Sequence, residues 1–229
     1  MLEDYTALLL DLNSTFMFGE DRFGENEDFS KHYHAIGGKC CPEFVNNLIR
    51  KVYDYLLERY PKAQYRHCFP SLSDAIDACS GNRVAKPEKE RLIETFAYHE
   101  HGEIPKAYVQ TLKRLKEQFT LSLVVDIWAP KDRWVTTLEN QGLWRLFSAS
   151  SFSSDHGMVK PSPRPFEYVV NELGLAKEKC LVIGDSIRRD LGGAEAAGLD
   201  CVLVGGATSD KARDCHPDLI DFQRVITAC

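Results

Sequence analysis

The stretch from Ala7 to Leu10 is a short, uninterrupted apolar run that ends at an acidic residue, Asp11, close to the start of the chain. A strand that is covered on both faces of a parallel sheet has this pattern, whereas a half-exposed strand alternates apolar and polar residues. In such sheets, ligands bind beyond the carboxyl ends of the strands. The run therefore predicts a buried parallel strand that presents the Asp11 carboxylate at the ligand-binding edge.

Strand-like and helix-like segments alternate through the second half of the chain. Apolar runs typical of buried strands are separated by segments whose apolar residues recur at helical spacing. This alternation predicts an α/β fold with a doubly wound, Rossmann-like parallel sheet and right-handed crossovers. The predicted strands span 121–125, 147–152, 180–183 and 201–204, the last being the final strand, and the predicted helices span 105–117, 131–141, 163–173 and 189–197.

A long stretch without strand-like pattern separates the first strand from this alternating region. The glycine-punctuated segment 16–24 predicts a turn or a small hairpin, and residues 28–102 have a helical pattern throughout. We therefore expect an α/β core of residues 1–18 and 103–229, with an all-helical insert of residues 19–102 after the first strand. Within this helical insert the predicted helices span 42–60, 71–79 and 87–99.

The length and net charge of the chain indicate what class of protein it encodes. The 229 residues suffice for one domain with an insertion, and the net charge of −6 provides no basic surface for nucleic acid. No apolar stretch is long enough for a membrane span, and the acidic start Met1–Asp4 lacks the features of a signal peptide. We expect a cytoplasmic monomer or homodimer that acts on a small molecule.

The eight cysteines are scattered along the chain without a CxxC spacing. Given the size of the chain and the absence of secretory signals, we expect them to be reduced thiols. The adjacent pair Cys40 and Cys41 is the one arrangement that suggests a redox or metal-binding role, and its role stays open.

Polar residues follow four of the predicted strands. Asp11, Asp126 and Asp185 stand at strand ends, Lys160 lies beyond the third strand, and Asp190 follows Asp185. If the strands are neighbours, these groups converge on one edge. Clustered carboxylates are suitable ligands for Mg²⁺, a lysine there provides a compact charge for an anionic substrate, and Asp11 can act as a carboxylate nucleophile. The turns after the first and fourth strands also offer backbone N–H groups for an anion.

The order and spacing of these residues resemble the motifs of the haloacid dehalogenase-like (HAD) hydrolase superfamily. The resemblance covers almost the whole chain, including the position of the helical insert, which corresponds to a cap that closes over the site and sets specificity. The matching motifs are Asp11-x-Asn13-x-Thr15, the end of the second strand, Lys160-Pro161 and Gly184-Asp185-Ser186-x-x-x-Asp190.

The resemblance implies a role for each matched residue. Asp11 is the nucleophile, and Lys160 is a catalytic residue that supports both the nucleophile and the transferred group. Thr15, Asp126 and Lys160 occupy substrate-binding positions. Mg²⁺ is held by Asp11, the backbone carbonyl of Asn13 and Asp185, with Asp190 supporting the site. A strand-end aspartate can also simply cap the following turn, and this alternative stays open, above all for Asp190.

Two positions depart from the phosphatase pattern of the superfamily. Asn13 stands where a second aspartate acts as general acid, and the loss of such an acid typically costs about 10²–10⁴-fold in rate. Asp126 stands where a serine or threonine donates a hydrogen bond to the phosphoryl group, and an ionised carboxylate only accepts.

Three functions remain after these departures. The first is a Mg²⁺-dependent phosphatase or phosphoryl-transfer enzyme that acts on a small metabolite through an aspartyl intermediate, with Asp126 or a cap residue replacing the lost acid. The second is a dehalogenase-like hydrolase, since halide leaves without a proton. The third is a non-catalytic binding protein that keeps the fold.

Overall fold

A six-stranded parallel sheet in the order β3-β2-β1-β4-β5-β6 forms the centre of the protein, which is described by a computed structural model over residues 4–227. Residues 1–3 and 228–229 of the predicted core lie outside this described part. The order confirms the predicted doubly wound α/β sheet. The strands are β1 (Ala7–Leu10), β2 (Thr120–Val125), β3 (Phe147–Phe152), β4 (Cys180–Gly184), β5 (Asp200–Leu203) and β6 (Asp214–Cys215).

The apolar run of β1 is explained by burial on both faces of the sheet. Side chains alternate along a strand, so Leu8 and Leu10 pack into one apolar cluster, whereas Ala7 and Leu9 pack into the cluster on the other face. β1 pairs with β2 on one side and with β4 on the other. Asp11, which follows directly, is thus at the middle of the carboxyl edge.

Ten helices surround the sheet and fill the helical insert in the described part of the chain. The apolar cluster of Leu8 includes residues of α5, α6 and α10, and that of Leu9 includes residues of α8 and α9. The helices are α1 (Phe29–Ala35), α2 (Pro42–Arg59), α3 (Leu72–Ser80), α4 (Lys86–Glu100), α5 (Lys106–Gln118), α6 (Asp132–Asn140), α7 (Ser153–His156), α8 (Arg164–Leu173), α9 (Gly192–Ala197) and α10 (Leu219–Thr227).

The regular secondary structure of the helical insert consists of helices, α1 to α4 and a short 3₁₀ turn at Ala63–Tyr65. Pro42 occupies the first turn of α2, where its missing N–H costs nothing. The Ser71 side chain accepts a hydrogen bond from the Asp74 backbone and caps α3, which ends at Gly81 with a left-handed φ of 64°. These local signals explain why the observed bounds of α2 and α3 lie within one residue of the predicted ones.

Three predicted features differ from the structure. The strand predicted to be final, β5, is followed by β6, which has two residues, and by α10. The helix predicted from Arg189 is preceded by a wide helical turn, Ile187–Leu191, and α9 begins only at Gly192. Segment 16–24 forms no hairpin of its own, because Phe18 pairs instead with Glu103 on the return connection.

The insert also contacts the core away from its two connections. The Val159 N–H donates to the Arg66 carbonyl at 2.9 Å, and the Phe69 N–H donates to the Gly157 carbonyl at 2.8 Å. The Ser162 hydroxyl lies 3.0 Å from Nδ1 of His67. These contacts hold the insert over the edge of the sheet that carries Asp11. In the described part of the chain, no helix is both long and apolar enough to cross a membrane.

Candidate active site

Asp11 follows β1, and two further acidic residues, Asp185 and Asp190, follow the neighbouring strand β4. Asp185 follows Gly184, the last residue of β4, and Asp190 lies in the wide turn that comes next. A side chain at Gly184 would overlap Asp190, since an added Cβ would lie 2.2 Å from the Asp190 Cγ. The glycine of this motif therefore makes the close approach of Asp190 possible.

Lys160 joins two of these carboxylates. Its Nζ lies 2.8 Å from Asp11 Oδ1 and 2.6 Å from Asp190 Oδ1, and the three side chains are at most 5% exposed. Burial acts to lower the pKa of the Lys160 ammonium, but Asp11, Asp190 and Asp126 together raise it above its ordinary value. Lys160 is therefore a fixed positive charge. The Asp11 Oδ1 atom also accepts the Leu12 N–H at 2.8 Å, which fixes the orientation of the carboxylate.

Asp11, Asp185 and Asp190 form a group of carboxylates that is suited to a divalent cation. Each offers an oxygen within 4.8 Å of the others. The Asp185 Oδ1 atom is buried without a hydrogen-bond partner, which is costly unless a further group binds it. Burial and the Asp11 charge raise the pKa of Asp185, and burial raises that of Asp190. A set of hard oxygen ligands with a partnerless buried oxygen fits Mg²⁺.

Asp126 lies beside this group but is turned toward other partners. Its Oδ2 atom accepts hydrogen bonds from the backbone N–H of Lys160 at 2.9 Å and from the Tyr60 hydroxyl at 2.5 Å. Burial raises the pKa of Asp126 to about 6, although Lys160 acts to lower it. The residue predicted to contact substrate thus links the end of β2 to Tyr60, the residue that directly follows α2 in the helical insert.

The loop after Asp11 contains the remaining residues of the first motif. The Asn13 Oδ1 and Thr15 Oγ1 atoms are buried and lack hydrogen-bond partners. In the two turns predicted to offer N–H groups to an anion, the Ser14 N–H donates to the Met17 carbonyl at 2.8 Å, and the Ser186 N–H donates to Asp190 Oδ2 at 3.0 Å. The predicted anion-binding amides at these two positions are therefore used within the protein.

Two residues near the carboxylates were not singled out from the sequence. The Arg189 Nη2 atom lies 3.7 Å from Asp185 Oδ1, and its charge also interacts with Asp11, Asp190 and Tyr60. Arg189 lies inside the recognised GDSxxxD segment, so its proximity was implicit in the motif. Tyr60 is separated from Asp126 by a long stretch of sequence, and no local pattern indicates their contact.

Comparisons with known proteins indicate the family to which the chain belongs. A sequence model described as haloacid dehalogenase-like hydrolase matches residues 5–198. The pyrophosphatase PpaX of Halalkalibacterium halodurans is 29% identical over 191 residues, which cover 77% of this chain and 85% of the relative.

Solved structures share the fold at lower identity. A HAD phosphatase from Thermococcus onnurineus superposes with a TM-score of 0.64 at 18% identity, covering 96% of this chain and 97% of that one. A 2-haloacid dehalogenase from Pseudomonas syringae gives a TM-score of 0.67 at 18% identity, covering 98% and 99%. With the family match over most of its length, the chain belongs to the haloacid dehalogenase-like hydrolases.

Proposed function

We propose that this protein is a Mg²⁺-dependent phosphatase that acts on a small phosphorylated metabolite through a covalent intermediate on Asp11. The observation that carries this proposal is the arrangement of Lys160, which contacts Asp11 and Asp190 at 2.8 and 2.6 Å, beside the partnerless oxygen of Asp185. A carboxylate nucleophile, a buried cation and a group of hard oxygen ligands are the components that phosphoryl transfer to an aspartate requires.

The carboxylates of Asp11, Asp185 and Asp190 would hold the metal ion, together with the Asn13 backbone carbonyl that the family resemblance implies. When bound, Mg²⁺ neutralises charge on the phosphoryl oxygens and orients the substrate. The chain itself orients the nucleophile, because the Lys160 ammonium and the Leu12 N–H both hold Asp11 Oδ1. The other oxygen, Oδ2, is then the one positioned to attack.

The reaction would proceed in two displacements at phosphorus. In the first, Asp11 forms a bond to phosphorus while the bond from phosphorus to the leaving oxygen breaks, and the leaving group departs with the electron pair. In the second, water attacks the phosphorus of the aspartyl phosphate, the bond to Asp11 breaks with its electron pair returning to the carboxylate, and the phosphate is released carrying the protons of the water. Lys160 remains protonated throughout and stabilises negative charge on Asp11 and the transferred group.

Asn13 cannot supply the proton that an aspartate at this position would give to the leaving group. An amide does not exchange a proton at neutral pH. The Asp126 Oδ2 atom already accepts hydrogen bonds from Tyr60 and from the Lys160 backbone. We therefore propose that the substrate carries a leaving group of low pKa, such as an acyl, aryl or phosphoryl group, which departs without protonation.

The test is a panel of phosphorylated metabolites assayed with Mg²⁺ and again with chelator. The panel includes acyl phosphates, pyrophosphate and 4-nitrophenyl phosphate. We expect Mg²⁺-dependent phosphate release from at least one compound, and a loss of more than about 10³-fold in Asp11→Asn because the nucleophile is removed. Acid-quenched wild-type protein should carry one added phosphoryl group by mass spectrometry. Asp155→Asn is the matched control, since Asp155 is exposed and pairs with Lys131 at 2.6 Å.

A dehalogenase-like hydrolase is the second candidate, and Asn13 favours it because halide leaves unprotonated. In that case the protein releases halide from 2-haloacids equally well with and without chelator. Folded protein that is inactive on the phosphate panel with Mg²⁺ present would contradict the proposed phosphatase. If halide release is also absent, the non-catalytic binding function is favoured.

A further inference from the structure

Two consecutive arginines in the wide turn after β4 have different surroundings. Arg188 is exposed, and its guanidinium lies 5.6 Å from the centre of the Tyr60 ring. The Arg189 guanidinium also interacts with Tyr60, but in addition its Nη2 lies 3.7 Å from Asp185 Oδ1 and its charge interacts with Asp11 and Asp190. The pair therefore provides one arginine inside the site and one at its margin.

Arg189 is held less firmly than the other cation of the site. Lys160 makes two contacts of 2.8 and 2.6 Å to carboxylates, whereas the distance of 3.7 Å from Arg189 to Asp185 is too long for a hydrogen bond. The Arg189 side chain also remains 30% exposed, so a ligand can reach it. The contact with Asp185 can therefore be exchanged for another acceptor, while the interaction of Arg189 with Tyr60 is kept.

The charge balance of the site indicates what that acceptor is. Asp11, Asp185 and Asp190 face two permanent cations, Lys160 and Arg189. A divalent cation bound by Asp185 would offset the charge of that carboxylate and repel Arg189 from it. A negative group on the bound molecule would then be the natural partner of the guanidinium, whose planar fork matches an oxyanion.

A negative group on the part of the substrate that is not transferred would lie near Arg189. Packed strands fill the space behind Asp11, so the part of the substrate that is not transferred extends toward the helical insert. Arg189 lies beside the carboxylates, with Nη2 3.7 Å from Asp185 Oδ1, and its charge also interacts with Tyr60 next to α2 of the insert. We propose that Arg189 binds a second oxyanion of the substrate, a carboxylate or a second phosphoryl group on the part that is not transferred; this rests on the phosphatase function proposed above.

Inert phosphonates test this proposal without turnover. Phosphonoacetate carries a phosphonate and a carboxylate, methylenediphosphonate carries two phosphonates, and ethylphosphonate carries one phosphonate at nearly the same size. Isothermal titration calorimetry with excess Mg²⁺ measures the affinity of each for wild-type protein, Arg189→Gln, Arg189→Lys and the control Arg188→Gln. Comparing the first two probes separates a preference for carboxylate from one for phosphate.

We expect wild-type protein and Arg188→Gln to bind at least one doubly anionic probe about 10–100-fold more tightly than ethylphosphonate, as a charge-assisted bidentate pair allows. In Arg189→Gln, the ratio of the affinity for the doubly anionic probe to the affinity for ethylphosphonate should fall to about 1–2. The affinity for ethylphosphonate itself should change less than about threefold. Arg189→Lys should keep part of the preference, because it retains the charge but not the fork.

Three results would overturn the inference. These are a wild-type protein without preference for the doubly anionic probes, an Arg189→Gln protein that loses affinity for all probes equally, and an Arg188→Gln protein that loses the preference as well. Failure of the proposed function gives a different result, since the wild-type protein then binds none of the phosphonates. Thermal unfolding of each variant shows whether it is folded.

Discussion

At the scale of single residues, Asn13 should decide which leaving groups the site can release. The wild-type protein should hydrolyse 4-nitrophenyl phosphate far faster than ethyl phosphate, because only the alkyl leaving group requires a proton. Asn13→Asp places an acid at that position and should raise kcat/KM for ethyl phosphate by about 10²–10⁴-fold, with a much smaller effect on 4-nitrophenyl phosphate. Asn140→Asp, an exposed position at the end of α6, is the matched control. An equal gain on both substrates would show that Asn13 acts by another route.

The residues of the candidate site differ in how well the sequence predicts them. Asp11 and Asp185 follow the neighbouring strands β1 and β4, so strand order brings them together, whereas Lys160 lies beyond β3 and α7 and was matched through its motif. Asp126 was placed at the correct strand end, but its partners were not predicted, because a contact with Tyr60 depends on how the helical insert sits on the core. Arg189 is an intermediate case, since a motif gives its position in the chain but not the direction of its side chain.

At the scale of secondary-structure elements, the end of α4 carries a carboxylate that joins the helical insert to the loop after β2. The Glu100 side chain accepts the Trp128 N–H at 2.6 Å and the Ala129 N–H at 2.8 Å. Burial, followed by the Asp21 charge, raises the pKa of Glu100 from 4.5 to about 8. In the pH range between these two values the folded state binds more protons than the unfolded state. The contribution of Glu100 to stability is therefore fully present below about pH 4.5 and is lost as pH rises through about 8.

Glu100→Gln removes this titration. We expect the difference in urea unfolding midpoint between pH 5 and pH 8 to be smaller in Glu100→Gln than in the wild-type protein, because a neutral amide has no charge to bury. Glu103→Gln is the control, since Glu103 is exposed and close in sequence. An unchanged pH dependence in Glu100→Gln would mean that Glu100 has an ordinary pKa in the folded protein.

The elements themselves were predicted well where local signals are strong. Most helices and the first five strands have bounds within a few residues of the predicted ones. The signals that predict them are prolines at helix starts, glycines at helix ends and long apolar runs. β6 has only two residues and pairs with β5 through tertiary contacts, so it carries no periodic pattern. The wide turn Ile187–Leu191 was missed as well, since its residues are also compatible with an ordinary helix start and its shape depends on the contacts of Asp190.

At the scale of the whole molecule, closure of the helical insert over the core can be followed at two backbone amides. The Phe69 and Val159 N–H groups donate hydrogen bonds across the boundary between insert and core. Their hydrogen exchange therefore reports how often the insert opens, whereas amides of β1 report unfolding of the sheet. The resemblance to HAD hydrolases implies that such opening admits the substrate, so these amides report on access to Asp11.

Tyr60→Phe should increase this opening. The variant removes the hydroxyl that donates to Asp126 and leaves this half-buried carboxylate with one hydrogen bond fewer. A hydrogen bond to a charged group contributes about 1.5–3 kcal/mol. We expect exchange at Phe69 and Val159 to accelerate about 10–100-fold, while amides of β1 change little because the sheet keeps its contacts. Tyr168→Phe, at a tyrosine that is 45% exposed, should leave both sets unchanged. Equal acceleration in β1 would indicate global destabilisation, and no acceleration at Phe69 would mean that the other contacts alone hold the insert in place.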